Sequence, residues 1–288
     1  MRNPSDEWGL GELQNYLCGM LKDFHEFCET NDINYSVMGG TALGAIRHGG
    51  FIPWDDDIDI FMFEEEYLKF KAAFKQRGNQ KKYYLEERAK NAQGIQLVKV
   101  RANGTTLIEK SVSEMDIHHG IFIDIFIINE FPGDLISVIR MMFWERYLWF
   151  MTVIALGTQR ESTLLKATIK ALQWIVPKNF LVDYARKQLS KYRGKGCPYL
   201  FHYYPNSVLM QNIYPSTIFR DTIIVPFEKI EVRCPRDVRS YLSTLYGDWQ
   251  KIPDFSDVKK AQHAVYWSID KEFIKRKKGI FEDEKFLI

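Results

Sequence analysis

The chain has 288 residues, long enough for one large domain with a substantial core, and its 46% apolar and 26% charged residues exclude a disordered chain. Its 39 basic and 37 acidic side chains leave a net charge of +2, so overall charge gives no case for a nucleic-acid partner. The four cysteines (Cys18, Cys28, Cys197, Cys234) form no CxxC pair and match no histidine spacing, which argues against zinc or a disulfide framework and for reduced thiols in a cytosolic protein.

The first residues, MRNPSDEWGLGELQ, lack the apolar stretch of a signal peptide. Leu13, Leu17, Leu21, Phe24 and Cys28 recur at helical spacing and predict a helix over 10–28. TNDIN breaks it, and YSVMGG reads as a short strand that ends in glycine. EEEYLKFKAAFKQRG predicts a helix, acidic at its start and closed by Gly78. YYLEE, GIQLVKVR and TTLIEK predict three short strands, with Asn103-Gly104 as a hairpin turn. GIFIDIFIIN (120–129) is apolar on both faces and predicts a central, buried strand. From 132 to 190 the pattern is helical and aromatic. LISVIRMMFWERYLWFMTVIALG (135–157) is long enough to span a bilayer, but Arg140, Glu145 and Arg146 lie in its middle. It fits a helix packed within the protein, or one at a bilayer surface anchored by Trp144, Tyr147 and Trp149. Strands and turns follow from about 198, then predicted helices in RDVRSYLSTLYG and DVKKAQHAVYWSIDKEFIKRKKG. This mixed order predicts an α+β or mixed α/β architecture, not a doubly wound sheet.

The chemistry concentrates in GGTALGAIRHGGFIPWDDDIDIFM (39–62). Side chains alternate along a strand, so Asp57 and Asp59 of DDDIDI share one face while Ile58 and Ile60 enter the core. Asp124 is the lone acid of its apolar strand. If the two strands are neighbours, three carboxylates converge, and like charges out of water demand a cation. Magnesium, or manganese, suits an all-oxygen set. Asp55 and Asp56 read equally well as caps of a turn after Pro53. Gly39 and Gly40, at a strand-to-helix junction, predict an anion site for phosphate, with Thr41 adding a hydroxyl. Arg47 is a candidate phosphate contact, with His48 a weaker one. Lys99 and Arg101 share a strand face, either to clamp phosphates or as a solvated edge. His118 and His119 orient a ligand or simply occupy a turn. Trp54, Tyr203, Tyr204, Trp249 and Trp267 could furnish an aromatic box for a quaternary ammonium group, although most aromatics here are expected in the core.

GTALGAIRHGGFIPWDDDIDI, HHGIFIDIF and PFEKIEVRCPRDVRSYLSTLYGDW resemble the LicD family, and the order Gly-Gly, DDIDI and a later strand aspartate resembles the nucleotidyltransferase (polymerase-β-like) fold. The resemblance implies an α+β fold, with a nucleotidyltransferase core sheet, flanking helices and a helical insertion. Residues 1–131 would be the catalytic core, 132–197 the insertion and 198–288 the remainder of the domain. It implies Asp57, Asp59 and Asp124 as catalytic metal ligands, with Gly39, Gly40 and Thr41 cradling the donor phosphates. Family members move phosphocholine from CDP-choline to a sugar hydroxyl of a bacterial surface glycan (teichoic acid, capsule or lipopolysaccharide), and related fukutin-type enzymes move phospho-polyols. The implied partners are a CDP-linked donor and a lipid-linked glycan acceptor, with the protein cytoplasmic or peripheral at the inner face of the cytoplasmic membrane. The basic KEFIKRKKG is then a further membrane contact. Nucleotidyl transfer, or a non-enzymatic role in glycan assembly, are the competing expectations.

Overall fold

A computed structural model describes residues 8–87, 98–110, 112–113, 117–155, 178–202, 213–254 and 262–272. The first helix, α1 (Gly11–Thr30), buries Leu13, Leu17, Leu21, Phe24 and Cys28, the stripe its 3.6-residue spacing requires. Then follow β1 (Ser36–Val37), α2 (Gly39–Arg47), β2 (Asp59–Phe63) and α3 (Glu64–Arg77). Three acids open α3 and Lys75 and Arg77 close it, matching the helix dipole. The strands β3 (Tyr83–Glu86), β4 (Val98–Ala102), β5 (Thr106–Glu109) and β6 (Phe122–Phe131) precede α4 (Leu135–Ala155) and α5 (Lys178–Leu189). The chain continues through β7 (Tyr199–His202), β8 (Ile213–Pro215), β9 (Thr222–Phe227), β10 (Ile230–Pro235), α6 (Val238–Tyr246) and β11 (Ala264–Ser268).

The fold is α+β, with a mixed seven-stranded sheet in which β1, β2, β6, β4 and β3 lie side by side. Its organising strand is β6. One edge runs parallel to β2, while the other pairs antiparallel with β4 over its first half and with β7 over its second. A strand hydrogen-bonded on both edges and covered on both faces must be apolar almost throughout, which explains FIDIFIINEF. The main core joins α1, α2, α3, α6 and the sheet. A second, smaller cluster holds the α4–α5 pair, with Met141, Leu148, Val182, Ala185 and Leu189 packed on Phe131 and Phe201 at the far end of β6. All four cysteines are free.

Two expectations change. Asn103-Gly104 does turn, with Gly104 at φ +74, but β4 and β5 do not form a hairpin; β5 leaves the main sheet and pairs with β11. Residues 264–268, expected in a helix, form β11. Val265, Tyr266 and Trp267 favour the pleated conformation, and Asp56 Oδ2 accepts the backbone N–H groups of His263 and Ala264 at 2.8 and 2.7 Å where the strand begins. Of the two settings open to α4, Trp144 and Tyr147 take the one packed within the protein: they are partly buried against the second cluster, because they fall on the inward side of α4 with Met141, Glu145 and Leu148. The side chain of Trp149 and most of KEFIKRKKG lie outside the described residues. Among the described residues, no helix is long and apolar enough to cross a membrane.

Candidate active site and metal centre

The β2–β6 register decides the geometry of the site. Asp59 sits directly opposite Asp124, so the parallel pairing sets their carboxylates side by side. Asp57, two residues before, joins them: Asp57, Asp59 and Asp124 each offer an oxygen, all within 4.8 Å of one another. The loop that delivers them is tied down. Gln14, buried on α1, donates from Nε2 to the carbonyls of Ile52 and Asp55 at 3.2 and 2.9 Å, and Asp124 N–H donates to Ile58 O at 2.8 Å.

The two glycines make room for these acids. A Cβ on Gly39 would lie 2.7 Å from Asp59 Oδ2, and one on Gly40 would lie 2.8 Å from Asp55 Oδ2. Gly39 also has φ +53, which L side chains rarely adopt. Its N–H donates to Tyr241 Oη at 2.9 Å, and Thr41 Oγ1 accepts the N–H of Asp59 at 2.9 Å. Thus Gly39 is fastened to α6 and Thr41 to the aspartate strand, and Thr41 retains its hydroxyl proton and one lone pair for a ligand.

Burial dominates the electrostatics. It raises the Asp59 carboxyl well above the ordinary range, with Asp57 and Asp124 adding to the effect, and does the same to Asp55 with help from Asp57 and Asp56. Asp124 is pushed up to about 7 by burial, which outweighs the opposing effect of Lys99. Tyr246 is raised by burial and by facing Asp59, Asp55 and Asp57. Among the described residues, two cations touch the group. Lys99 Nζ lies 2.8 Å from Asp124 Oδ1 and 3.3 Å from Glu109 Oε2, and His263 Nδ1 lies 3.2 Å from Asp57 Oδ2 and 3.5 Å from Asp56 Oδ1. Hydrogen bonds donated by its ring to Asp56 and then to Asp57 lift His263 to about 11.

The other predicted residues separate by location. Lys99 stands at the aspartates. Arg101 does not: it is 1% exposed, with Nε on Glu86 at 2.5 Å and Nη1 on Gly120 O at 3.2 Å, so its charge is spent within the fold. Their strand β4 is interior, between β6 and β3, which removes the solvated-edge reading. Arg47 donates to the carbonyls of Trp249 (2.7 Å) and Lys251 (3.3 Å), and to His48; it fastens the segment after α6 instead of presenting itself to a phosphate. His118 stacks on Tyr84 and bonds Asn103, as a turn histidine does, and His119 is buried. Trp54 lies against Trp8 and His48, Trp249 is buried with its Nε1 on Ser243, and Trp267 packs on the core. Tyr203 and Tyr204 lie outside the described residues.

Sequence reasoning missed His263, Glu109, Tyr241 and Tyr246. No local spacing marks them, since His263 reaches the aspartates across 206 residues. The strand pairing of β11 with β5 carries His263 and Glu109 to one side of the site. Asp56, read equally well as a turn cap, is 2% exposed and holds this ribbon in place.

The donor set fits a hard divalent cation. Three carboxylate oxygens converge, Asp55 Oδ2 is buried without a hydrogen-bond partner, and the surrounding acids outnumber Lys99 and His263. Asp56, Asp57 and His263 form a second group of the same compactness.

Residues 32–148 match the family described as LicD/FKTN/FKRP, nucleotidyltransferase domain. The lipopolysaccharide cholinephosphotransferase LicD of Haemophilus influenzae is 29% identical over 264 residues, covering 87% of this chain and 94% of that protein. An uncharacterized protein of Rickettsia typhi is 45% identical over 62 residues, 20% of each chain. The human ribitol 5-phosphate transferase FKRP is 39% identical over 57 residues, 20% of this chain and 10% of that one. The chain carries a LicD-family nucleotidyltransferase-like domain.

Proposed function

We propose that this protein is a magnesium-dependent phosphotransferase that moves phosphocholine from CDP-choline to a sugar hydroxyl of a lipid-linked, cell-surface glycan. The observation that carries the reading is the Asp57–Asp59–Asp124 cluster, set on two parallel strands within a LicD-family domain. Similarity to the cholinephosphotransferase over 94% of its length favours choline as the head group, while the shorter match to the ribitol 5-phosphate transferase keeps a phospho-polyol as the second reading.

In this reaction the acceptor hydroxyl attacks the phosphorus that bears choline. The bond from that phosphorus to the bridging oxygen breaks, CMP leaves, and the hydroxyl proton passes to a carboxylate. Asp57, Asp59 and Asp124 would hold magnesium, which neutralises charge on the diphosphate and acidifies the attacking hydroxyl. Lys99 sets the orientation of Asp124 and adds positive charge beside it. Asp124, or a metal-bound group, would take the proton. Gly40 and Thr41, in the first turn of α2, supply N–H groups and a hydroxyl to phosphate. In this scheme residues 1–131 and 198–288 make up the catalytic domain, and 132–197 is an insertion with its own small core.

Thermal shift with CDP-choline, CDP-ribitol, CDP-glycerol, CTP and ATP, each with and without magnesium, tests the reading. Ligand at 100 times its dissociation constant adds about 2.7 kcal/mol. A magnesium-dependent shift for CDP-choline is expected. A shift for CDP-ribitol alone would move the proposal to the phospho-polyol, and no shift with any donor would overturn it.

A further inference from the structure

The outer side of α4 breaks the rule that apolar residues pack inward. Leu135 and Ile136 are each 75% exposed, and Ile139, Met142 and Phe143 follow at 56, 44 and 62%. Positions 135, 139, 142 and 143 recur at helical spacing, so they form one continuous stripe opposite the buried Ser137, Met141, Glu145 and Leu148. The stripe extends sideways onto α5. Phe143 meets Trp144 at 4.9 Å, Trp144 meets Tyr184 at 5.2 Å, and Tyr184 stacks on Phe180, which is itself 62% exposed. Scattered exposed apolar residues need no explanation, but a contiguous patch of this kind marks a binding surface.

The charges beside the stripe indicate what covers it. Arg140, Lys191 and Lys195 gather round the ring of Tyr192, at 4.7, 5.8 and 5.3 Å from its centroid, and Arg146 continues the exposed side of α4. Of the acids on these elements, Asp134 is turned to the start of its own helix, where it accepts the N–H of Ser137, and Asp183 is exposed on α5. A two-fold pairing of copies through this stripe would bring both sets of cations to one interface, where they repel. An anionic bilayer accepts both features at once: the stripe enters the acyl boundary and the cations meet the lipid phosphates.

We propose that the α4–α5 face, through Leu135, Ile136, Ile139 and Phe143 with Arg140, Lys191 and Lys195 beside them, docks the protein on an anionic membrane surface. This side chain set differs from the inward-turned Trp144 and Tyr147. It lies at the opposite end of β6 from the aspartates: the seven residues from Asp124 to Phe131 cover about 23 Å along the strand. Docking therefore leaves the catalytic end clear of the bilayer. The inference uses the phosphotransferase reading only for its purpose, a lipid-linked acceptor, and not for its physical basis.

Sedimentation of the full chain with vesicles, containing neither donor nor acceptor, tests docking apart from catalysis. Vesicles of phosphatidylcholine alone are compared with vesicles holding one third phosphatidylglycerol. Binding to the anionic vesicles only is expected, weakening as salt rises. The substitutions Ile136→Ser, Ile139→Ser and Phe143→Ser together should reduce binding at least about tenfold, and Lys191→Glu with Lys195→Glu should do likewise on anionic vesicles. All five side chains are on the surface, so folding is not at risk, and circular dichroism confirms it. Binding that survives the triple substitution would overturn the proposal. So would a vesicle-indifferent protein, whether it is a dimer that the triple substitution dissociates or a monomer whose stripe is covered by its own residues 156–177.

Discussion

The two ends of β6 break the ordinary distribution of residues in opposite ways. At its start, charged side chains are withdrawn from water: Asp124 and Lys99 are 6 and 7% exposed, with Asp57 and Asp59 crowded against them. At its far end, beyond Phe131, leucine, isoleucine and phenylalanine are left in water on α4. Both arrangements cost stability in the isolated chain, the first through desolvation and repulsion, the second through unburied apolar area. Such costs are informative because most of the molecule avoids them. Buried charge at one end asks for a cation and an anionic ligand, and exposed apolar area at the other asks for a surface.

The contrast is broken most severely at the acidic end. Asp57→Asn should lower head-group transfer by roughly a thousandfold, about 4 kcal/mol in the barrier, while thermal stability holds or rises as repulsion is relieved. Transfer assays paired with melting curves check this, and parallel loss of both would mean a structural aspartate. Arg101 provides the control. It is as buried as Asp124 but fully engaged by Glu86 and Gly120, so Arg101→Met should cost about 3–5 kcal/mol in stability by leaving Glu86 alone. Denaturant melts would show it; a stable variant with a weakened nucleotide Kd would restore Arg101 as a phosphate clamp.

The acidic end was legible in the sequence because its signal is local. Period-two alternation places Asp57 and Asp59 on one face, and one acid in an apolar strand singles out Asp124. Gly39 and Gly40 were visible too, although the carboxylates of Asp59 and Asp55 now account for them at least as well as a phosphate does. What could not be read depends on pairing over long separations. His263 and Glu109 reach the site because β11 pairs with β5, and AVYWS lies in a segment whose flanks look helical. Arg47 and Arg101 were misplaced for a related reason. A basic residue near a motif looks free until the carbonyls of Trp249 and Lys251, or the carboxylate of Glu86, are seen to occupy it. At the other end of β6, composition showed an apolar, aromatic helix but not which side faced inward; only the second core cluster decides that.

A pH series sharpens the comparison further. Asp55, Asp59 and Asp124 have raised carboxyls, so without metal the folded chain holds more protons than the unfolded one above about pH 4. Stability should then fall as pH rises from about 4 to about 7, the window of Asp124. His263, raised to about 11, continues the decline above its ordinary value of 6.5. Acids lowered by surface pairing, such as Asp23 and Glu29, act in the opposite sense but only below about pH 4.5. Melting temperatures in EDTA should decline across this range by an amount worth a few kcal/mol, and magnesium should offset the decline most at its upper end. A flat EDTA profile would mean that the aspartates are better solvated than their surroundings indicate. The smallest effect belongs to the far end. Leu135→Ser and Ile139→Ser should each change stability by no more than about 0.5 kcal/mol in free solution, since neither packs on the core. A larger loss on melting would show that the stripe is covered within the molecule.

The aspartates at the start of β6 are held in place for a metal. Manganese binding followed by electron paramagnetic resonance, in the wild type and in Asp59→Asn, tests this most directly. Saturable binding by the wild type is expected, with at least a tenfold weaker affinity in the folded variant. Equal binding by both proteins, or none by either at millimolar manganese, would contradict it.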